Sequence, residues 1–166
     1  LLGPSPRRPA RVMVDRAYPG QVIIRDVGPR DGLQPEAPVE VTQRIALVEA
    51  LVAAGLRHVE VAAFVSPKAV PAMAGAADVL AGLVRHPDVG ADALAPSVRG
   101  AALALAAGVD ELTVTISAAE AYNQRSVKMS TAESVAAIEA IVSLATSGAE
   151  SVAVDAVISC AFGSPY

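Results

Sequence analysis

The sequence predicts an α/β chain of repeated strand–helix units whose strands lie parallel. Three observations predict it. Short Val/Ile-rich runs alternate with longer Ala-rich segments of helical period. A weak repeat, Gly55-Leu56-x-x-Val59-x-Val61, Gly108-Val109-x-x-Leu112-x-Val114 and Gly148-Ala149-x-x-Val152-x-Val154, superposes on its glycine and reads as a helix end, a tight turn and an apolar alternation. A charged turn, Gly28-Pro29-Arg30-Asp31-Gly32, closes the first apolar run. Strands joined through helices in this way run parallel and are covered by those helices.

Each element follows from its own pattern. Gln21–Val27 is an apolar run stopped by Gly28-Pro29, so it reads as a buried strand. Val41–Ala54 carries Ile45, Val48, Leu51 and Val52 at helical spacing, and Gly55 stands where a left-handed helix terminus is expected. His58–Ala63 reads as the second strand, and a loop through Ser66-Pro67-Lys68 leads to a helix over Pro71–Arg85. Val89–Ala95 and Val98–Ala107 form the third strand and helix. Leu112–Ser117 is a fourth strand, followed by a polar loop at Tyr122-Asn123-Gln124-Arg125-Ser126. Thr131–Thr146 reads as the next helix and Val152–Cys160 as the fifth strand.

Two architectures accept this order, a doubly wound open sheet and a (β/α)8 barrel. A Rossmann sheet wants a Gly-x-Gly-x-x-Gly turn after its first strand, which this chain lacks. A charged turn at the carboxyl end of strand one suits a barrel, whose active sites gather on that face. A full barrel takes about 250 residues, so five strands in 166 residues make a five-strand portion of one. Residues 1–20 read as a flexible arm without a signal-peptide core, and 21–166 as the partial barrel domain. The opening Leu1 and the stop at Tyr166 suggest a fragment.

Composition narrows the function classes. Net charge is −4 and aromatics are 3% with no Trp, which argues against nucleic-acid binding through a basic stripe or stacking platforms. The single cysteine, Cys160, excludes an internal disulfide and any multi-cysteine metal cluster. No apolar stretch is long enough to cross a membrane, so the chain reads as soluble and cytoplasmic.

The densest group of functional atoms is Asp26 through Gln34. Strand alternation pairs Ile24 with Asp26, which points Asp26 into the barrel mouth if that face is inward. Asp31 can ligate a hard cation while Arg30 binds an oxyanion; a solvated turn holding a local Asp–Arg pair is the plainer reading. Glu60 sits inside an apolar run, where a charge is costly unless paired or functional, and it faces the same mouth. Its pairing alternatives by sequence are Arg57 and Lys68. His58 shares its face but reads better as a core or rim residue, and His86 as a loop residue. The loop around Asn123 suits a phosphate or a pantetheine arm as well as it suits solvent. Cys160, with no charged neighbour, reads as an inert thiol.

The string Val27-Gly28-Pro29-Arg30-Asp31-Gly32-Leu33-Gln34 resembles the signature of the hydroxymethylglutaryl-CoA lyase family. Further matches are Glu60, then Phe64-Val65-Ser66-Pro67-Lys68 with Val70-Pro71 and Met73, then Ser159-Cys160-Ala161-Phe162-Gly163-x-Pro165-Tyr166. The resemblance implies the amino-terminal five-strand portion of a (β/α)8 (TIM) barrel, and cleavage of 3-hydroxy-3-methylglutaryl-CoA, an acyl-CoA thioester, to acetyl-CoA and acetoacetate. It makes Asp31 a ligand of a divalent cation, Mg²⁺ or Mn²⁺. It makes Arg30 and Gln34 substrate-binding, and Arg30, Glu60 and Asp26 catalytic. Asp26 stands where these lyases commonly have Glu, Ser97 where Asn is usual, and Ser164 where Cys is usual. A His-x-His metal motif of the family is absent from these residues. A relative acting on another 3-hydroxyacyl-CoA is the neighbouring expectation. An inactive piece serving only as an interaction module is the expectation from another class. An open sheet edge invites association into a homo-oligomer.

Overall fold

A computed structural model describes residues 20 and 22–164 of the chain, so the arm expected over residues 1–20 lies almost wholly outside the described residues. The strands are β1 (Arg25–Asp26), β2 (His58–Ala63), β3 (Gly90–Leu94), β4 (Glu111–Ser117) and β5 (Ala153–Ser159). They form one sheet in the order β1-β2-β3-β4-β5, every neighbouring pair parallel. Between them run α1 (Val41–Ala53), α2 (Ala76–Gly82), α3 (Val98–Ala106), α4 (Glu120–Ser126) and α5 (Thr131–Thr146). Sequential parallel order without a reversal is that of a barrel wall, as the charged turn led one to expect.

Alternation divides the sheet into two chemistries. Val59, Val61, Ala91, Ala93, Leu112 and Val114 are buried against the helices and make the core with Val48, Leu80, Ala101, Ala104, Ile141 and Ala145. The opposite face carries Glu60 in register with Asp92, and Thr113 in register with Asp155. This polar face is the barrel lumen. One contact shows how strongly it curves: Arg25 Nη1 of β1 reaches Asp155 Oδ2 of β5 at 3.0 Å. In a flat sheet, four interstrand steps of about 4.8 Å separate the outer strands by roughly 19 Å, beyond the reach of one Arg and one Asp side chain.

The glycine-led junctions are Schellman-type helix ends at two of the three repeats. Gly55 (φ 105°) and Gly108 (φ 79°) adopt the left-handed conformation, and the next amides, of Leu56 and Val109, donate to Leu51 and Ala104 carbonyls at 3.2 and 3.3 Å. At the third repeat the amide of Val152 donates to the Ala145 carbonyl at 3.1 Å, so intervening residues lengthen the turn, and Gly148 is not left-handed.

Three expected elements differ. The strand foreseen over Gln21–Val27 is reduced to Arg25–Asp26, because its only neighbour, β2, begins at His58, opposite Arg25, and leaves Val22, Ile23 and Ile24 without a partner strand and exposed. The helix foreseen over Pro71–Arg85 is a 3-10 turn at Pro71–Met73 and then α2, divided at Gly75, whose φ of 73° no α-helix accepts. The polar loop around Asn123 is helix α4. Asn123 is buried there, accepting from the Ser117 amide at 2.9 Å and donating to the Met129 carbonyl and Ser134 Oγ at 2.9 and 2.7 Å. It is a structural bracket between β4 and α5, which removes it as a phosphate or pantetheine contact.

Candidate active site

The turn after β1 is a single π-helical turn over Gly28–Gly32, started by Pro29 and closed by amides of Arg30, Asp31 and Gly32 directed at the Val27 carbonyl. Asp26 shapes its entry: Asp26 Oδ1 accepts the Gly28 amide at 2.8 Å. The turn brings Arg30 over β2, whose third residue is Glu60. There Arg30 Nε donates to Glu60 Oε1 at 2.8 Å and Nη2 to Glu60 Oε2 at 3.0 Å, while Nη1 donates to Asp31 Oδ1 at 2.7 Å. Glu60 is only 2% exposed, and a buried carboxylate is tolerable because both oxygens meet one guanidinium. Three of the five N–H donors of Arg30 are thus committed, leaving one on each terminal nitrogen outside these contacts.

Glu60 owes its aim partly to a β-bulge. The register of β2 on β3 passes from Glu60–Asp92 to Ala62–Ala93, so Val61 is the extra residue. A bulge inside a strand re-aims the adjacent side chain. The partner of Glu60 is Arg30, not Arg57 or Lys68; Arg57 pairs instead with Asp88 at 3.1 Å.

The structure brings Arg30, Asp31 and Glu60 together, and it sets Asp26 apart from the mouth into which the sequence pointed it. Asp26 is in register with Val59, which faces the helices, so its carboxylate supports the turn and not the lumen. The lumen-facing residue of β1 is Arg25. Its Nε stands 2.9 Å from Asp92 Oδ2, its Nη1 contacts Asp155 Oδ2 and Thr113 Oγ1 at 3.0 and 3.4 Å, and its Nη2 meets Glu111. Burial depresses this guanidinium's pKa, but Asp92 and Glu111 outweigh that and hold it above its ordinary value. Burial pushes the Asp92 carboxyl up to about 6 against the pull of Arg25. Gln34 follows on the exposed flank of the turn, its amide donating to the Asp31 carbonyl at 3.3 Å. Ser97 caps α3, accepting the Gly100 amide at 3.1 Å. Cys160 lies just past β5 with φ 56°.

Asp31 is the residue here that fits a cation. It is exposed, and carboxylate oxygen suits a hard divalent ion. Among the described residues no group of three or more His, Cys, Asp or Glu is arranged to hold a metal ion, so Asp31 fits as one ligand and not as a whole site.

A parallel (β/α) wall in sequential strand order, with an anchored guanidinium and a carboxylate on the turn after its first strand, defines a (β/α)-barrel protein. The family model described as HMGL-like matches residues 21–165, and the chain belongs to that family. It is 45% identical over 149 residues to a Pseudomonas aeruginosa protein named 3-hydroxy-3-isohexenylglutaryl-CoA/hydroxy-methylglutaryl-CoA lyase, covering 89% of this chain and 49% of that one. It is 37% identical to the mitochondrial hydroxymethylglutaryl-CoA lyase of Rattus norvegicus, covering 100% of this chain and 51% of the relative. A relative from Danio rerio is named cytoplasmic. The crystal structure of the Pseudomonas aeruginosa hydroxymethylglutaryl-CoA lyase superposes with a TM-score of 0.83 at 45% identity, over 88% of this chain and 48% of that one. An Acinetobacter baumannii HMG-CoA lyase solved with coenzyme A and 3-methylmalate gives 0.81 at 32% identity, over 87% and 47%. The five strands therefore correspond to the amino-terminal part of that family's TIM barrel, and the chain spans about half the length of the curated relatives it matches. Among the described residues no helix is long and apolar enough to cross a membrane.

Proposed function

We propose that residues 21–166 serve as the amino-terminal barrel portion of a carbon–carbon lyase that cleaves 3-hydroxy-3-methylglutaryl-CoA to acetyl-CoA and acetoacetate. The observation that carries the reading is the guanidinium of Arg30, gripped through two hydrogen bonds by buried Glu60 above the strand ends. In this retro-Claisen reaction the C3 hydroxyl loses its proton and its electron pair forms the ketone. The C2–C3 bond breaks, its pair passes into the thioester enolate, and protonation at C2 completes acetyl-CoA. Arg30 directs its uncommitted N–H groups to the thioester oxygen as the enolate charge develops. An always-charged, planar donor suits that role. Glu60 holds the guanidinium in place, Asp26 holds the turn, and Gln34 lies beside it on the substrate side. Asp31 would hold a divalent cation, Mg²⁺ or Mn²⁺, which when bound polarises the substrate oxygens. The compartment in this reading is the cytoplasm, the place named for the Danio rerio relative. Self-association through the open sheet edges belongs to the same reading.

A second substrate is favoured by one observation. The Pseudomonas aeruginosa relative is named for a longer 3-hydroxy-3-isohexenylglutaryl thioester as well as the methyl compound. Assay of acetyl-CoA release by the complete polypeptide from 3-hydroxy-3-methylglutaryl-CoA, and separately from the isohexenyl thioester, tests both. Release with either substrate, lost about 10²–10³-fold in kcat in Arg30→Gln while metal binding is kept, supports the proposal. No release from any thioester by a folded, metal-supplied polypeptide overturns it.

A further inference from the structure

Strand β1 delivers the catalytic turn, yet it is the strand least held by the sheet. Two register pairs, Arg25 with His58 and Asp26 with Val59, are its whole ladder. The residues before it, Val22, Ile23 and Ile24, are 78%, 70% and 68% exposed and contribute little packing. The Arg30–Glu60 pair secures the top of the turn. Something else must secure its base.

We propose that Arg25 is a positioning residue: its guanidinium, strapped across the lumen to Asp92, Glu111 and Asp155, fixes β1 so that Arg30 and Asp31 stand over the strand ends. All three guanidinium nitrogens take part, and their partners lie on β3, β4 and β5. Because β1 and β5 are the two outer strands, the strap is a chord across the arc of the sheet, and it sets curvature as well as register. An isolated exposed ion pair does neither, being worth almost nothing against solvent. This one differs because Asp92 is 1% exposed, so releasing Arg25 strands a buried carboxylate. Five residues separate Arg25 from Asp31, and the turn between them is closed on itself through Val27 and Asp26, so a shift of β1 carries the turn with it. Arg25 touches no reacting atom in this arrangement.

The kinetic arm of the test rests on the lyase reading; the exchange and metal arms do not. Arg25→Met and Arg25→Lys are made in the complete polypeptide. Amide hydrogen exchange is read for peptides covering residues 25–33, Mn²⁺ binding is measured with the metal alone, and kcat and KM are measured separately. In folded Arg25→Met, exchange over 27–33 rises about tenfold or more as local opening becomes easier. Mn²⁺ binds several-fold more weakly, and kcat falls about 10–100-fold with KM nearly unchanged, because small misplacement of a catalytic group is costly. Arg25→Lys recovers only part, since an ammonium keeps the charge and loses the three-nitrogen fork. Unchanged exchange and Mn²⁺ affinity in folded Arg25→Met overturn the proposal. If Arg25→Met does not fold, Asp155→Asn at the exposed end of the strap must show the same changes in smaller measure, and no change there overturns it equally. An inactive wild type whose exchange still responds to Arg25→Met upholds the strap and refutes the lyase reading instead.

Discussion

Arg30 and Glu60, thirty residues apart in sequence, meet through two parallel hydrogen bonds of 2.8 and 3.0 Å, with the carboxylate fully buried and the guanidinium only partly exposed. The geometry makes Glu60 the fixed member and Arg30 the presented one. Removing Glu60 takes away both bonds and frees Arg30 to follow Asp31 into solvent. Glu60→Ala is therefore expected to cost about 3 kcal/mol in urea unfolding, the low end for breaking a buried pair because Arg30 can still reach water. Turnover should fall with it, and Glu60→Gln, which keeps one acceptor, should lie between. A Glu60→Ala protein of normal stability would show that the pair does not hold the turn.

Asp31 has a separable role. One of its oxygens accepts from Arg30, and the carboxylate is otherwise exposed. If it ligates the cation, Asp31→Ala should weaken Mn²⁺ binding, and added metal should restore part of the rate. Its loss from the fold itself should be small, roughly 0–1 kcal/mol, as for an exposed ion pair. Metal titration with a parallel unfolding curve separates the two effects. Full metal affinity in the variant would sink the assignment.

Much of the fold was legible because its signals are local. His58–Ala63 and Thr131–Thr146 begin and end where the sequence places them: the first is an apolar run closed at a strand end, the second opens with a Ser130–Glu133 capping box. Helix α4 was hidden because it presents no apolar stripe; Asn123 anchors it, and a buried polar residue looks like a loop residue until its partners are known. At β1 the pattern Ile-Ile-Arg-Asp allows either charge to face inward, and only the register with His58 and Val59 decides for Arg25. The Arg30–Glu60 pair has no sequence spacing to reveal it. The available signal was a single charge inside an apolar run, which says that Glu60 has a partner without saying which.

Asp92 predicts an unusual pH dependence. Burial first, and then Glu111 and Asp110, push its carboxyl up to about 6, while Arg25 and His58 pull the other way. Between its ordinary value of 3.8 and 6 the folded chain keeps a proton that the unfolded chain has released. Its contribution to stability therefore falls as pH rises through that window, and the cost is complete above about pH 6. Converted at about 1.4 kcal/mol per unit, the cost is on the order of 2–3 kcal/mol. Asp92→Asn should remove this slope and be more stable than the wild type relative to pH 4. Urea midpoints of both proteins at pH 4.5 and pH 7 give the difference; parallel lines for the two would refute it.

Gly100, in the first turn of α3, packs tightly against the end of β2. A Cβ added there would stand 2.4 Å from the Phe64 carbonyl oxygen and 3.2 Å from Ser97 Oγ. The carbonyl cannot swing aside, because Phe64 continues β2 and its amide is bonded to the Leu94 carbonyl at 2.8 Å. Ser97 cannot turn away without giving up the helix cap it makes to the Gly100 amide. The strain must then go into moving α3 off the sheet. Overpacking of this sort costs about 1–3 kcal/mol, whereas the same change at a free helical glycine gains up to about 1 kcal/mol in propensity. Gly100→Ala is thus expected to destabilise, with the displacement felt at Phe64, four residues beyond Glu60. Urea unfolding gives the sign, and a stabilised Gly100→Ala protein would show that helix and strand end are not in the contact described.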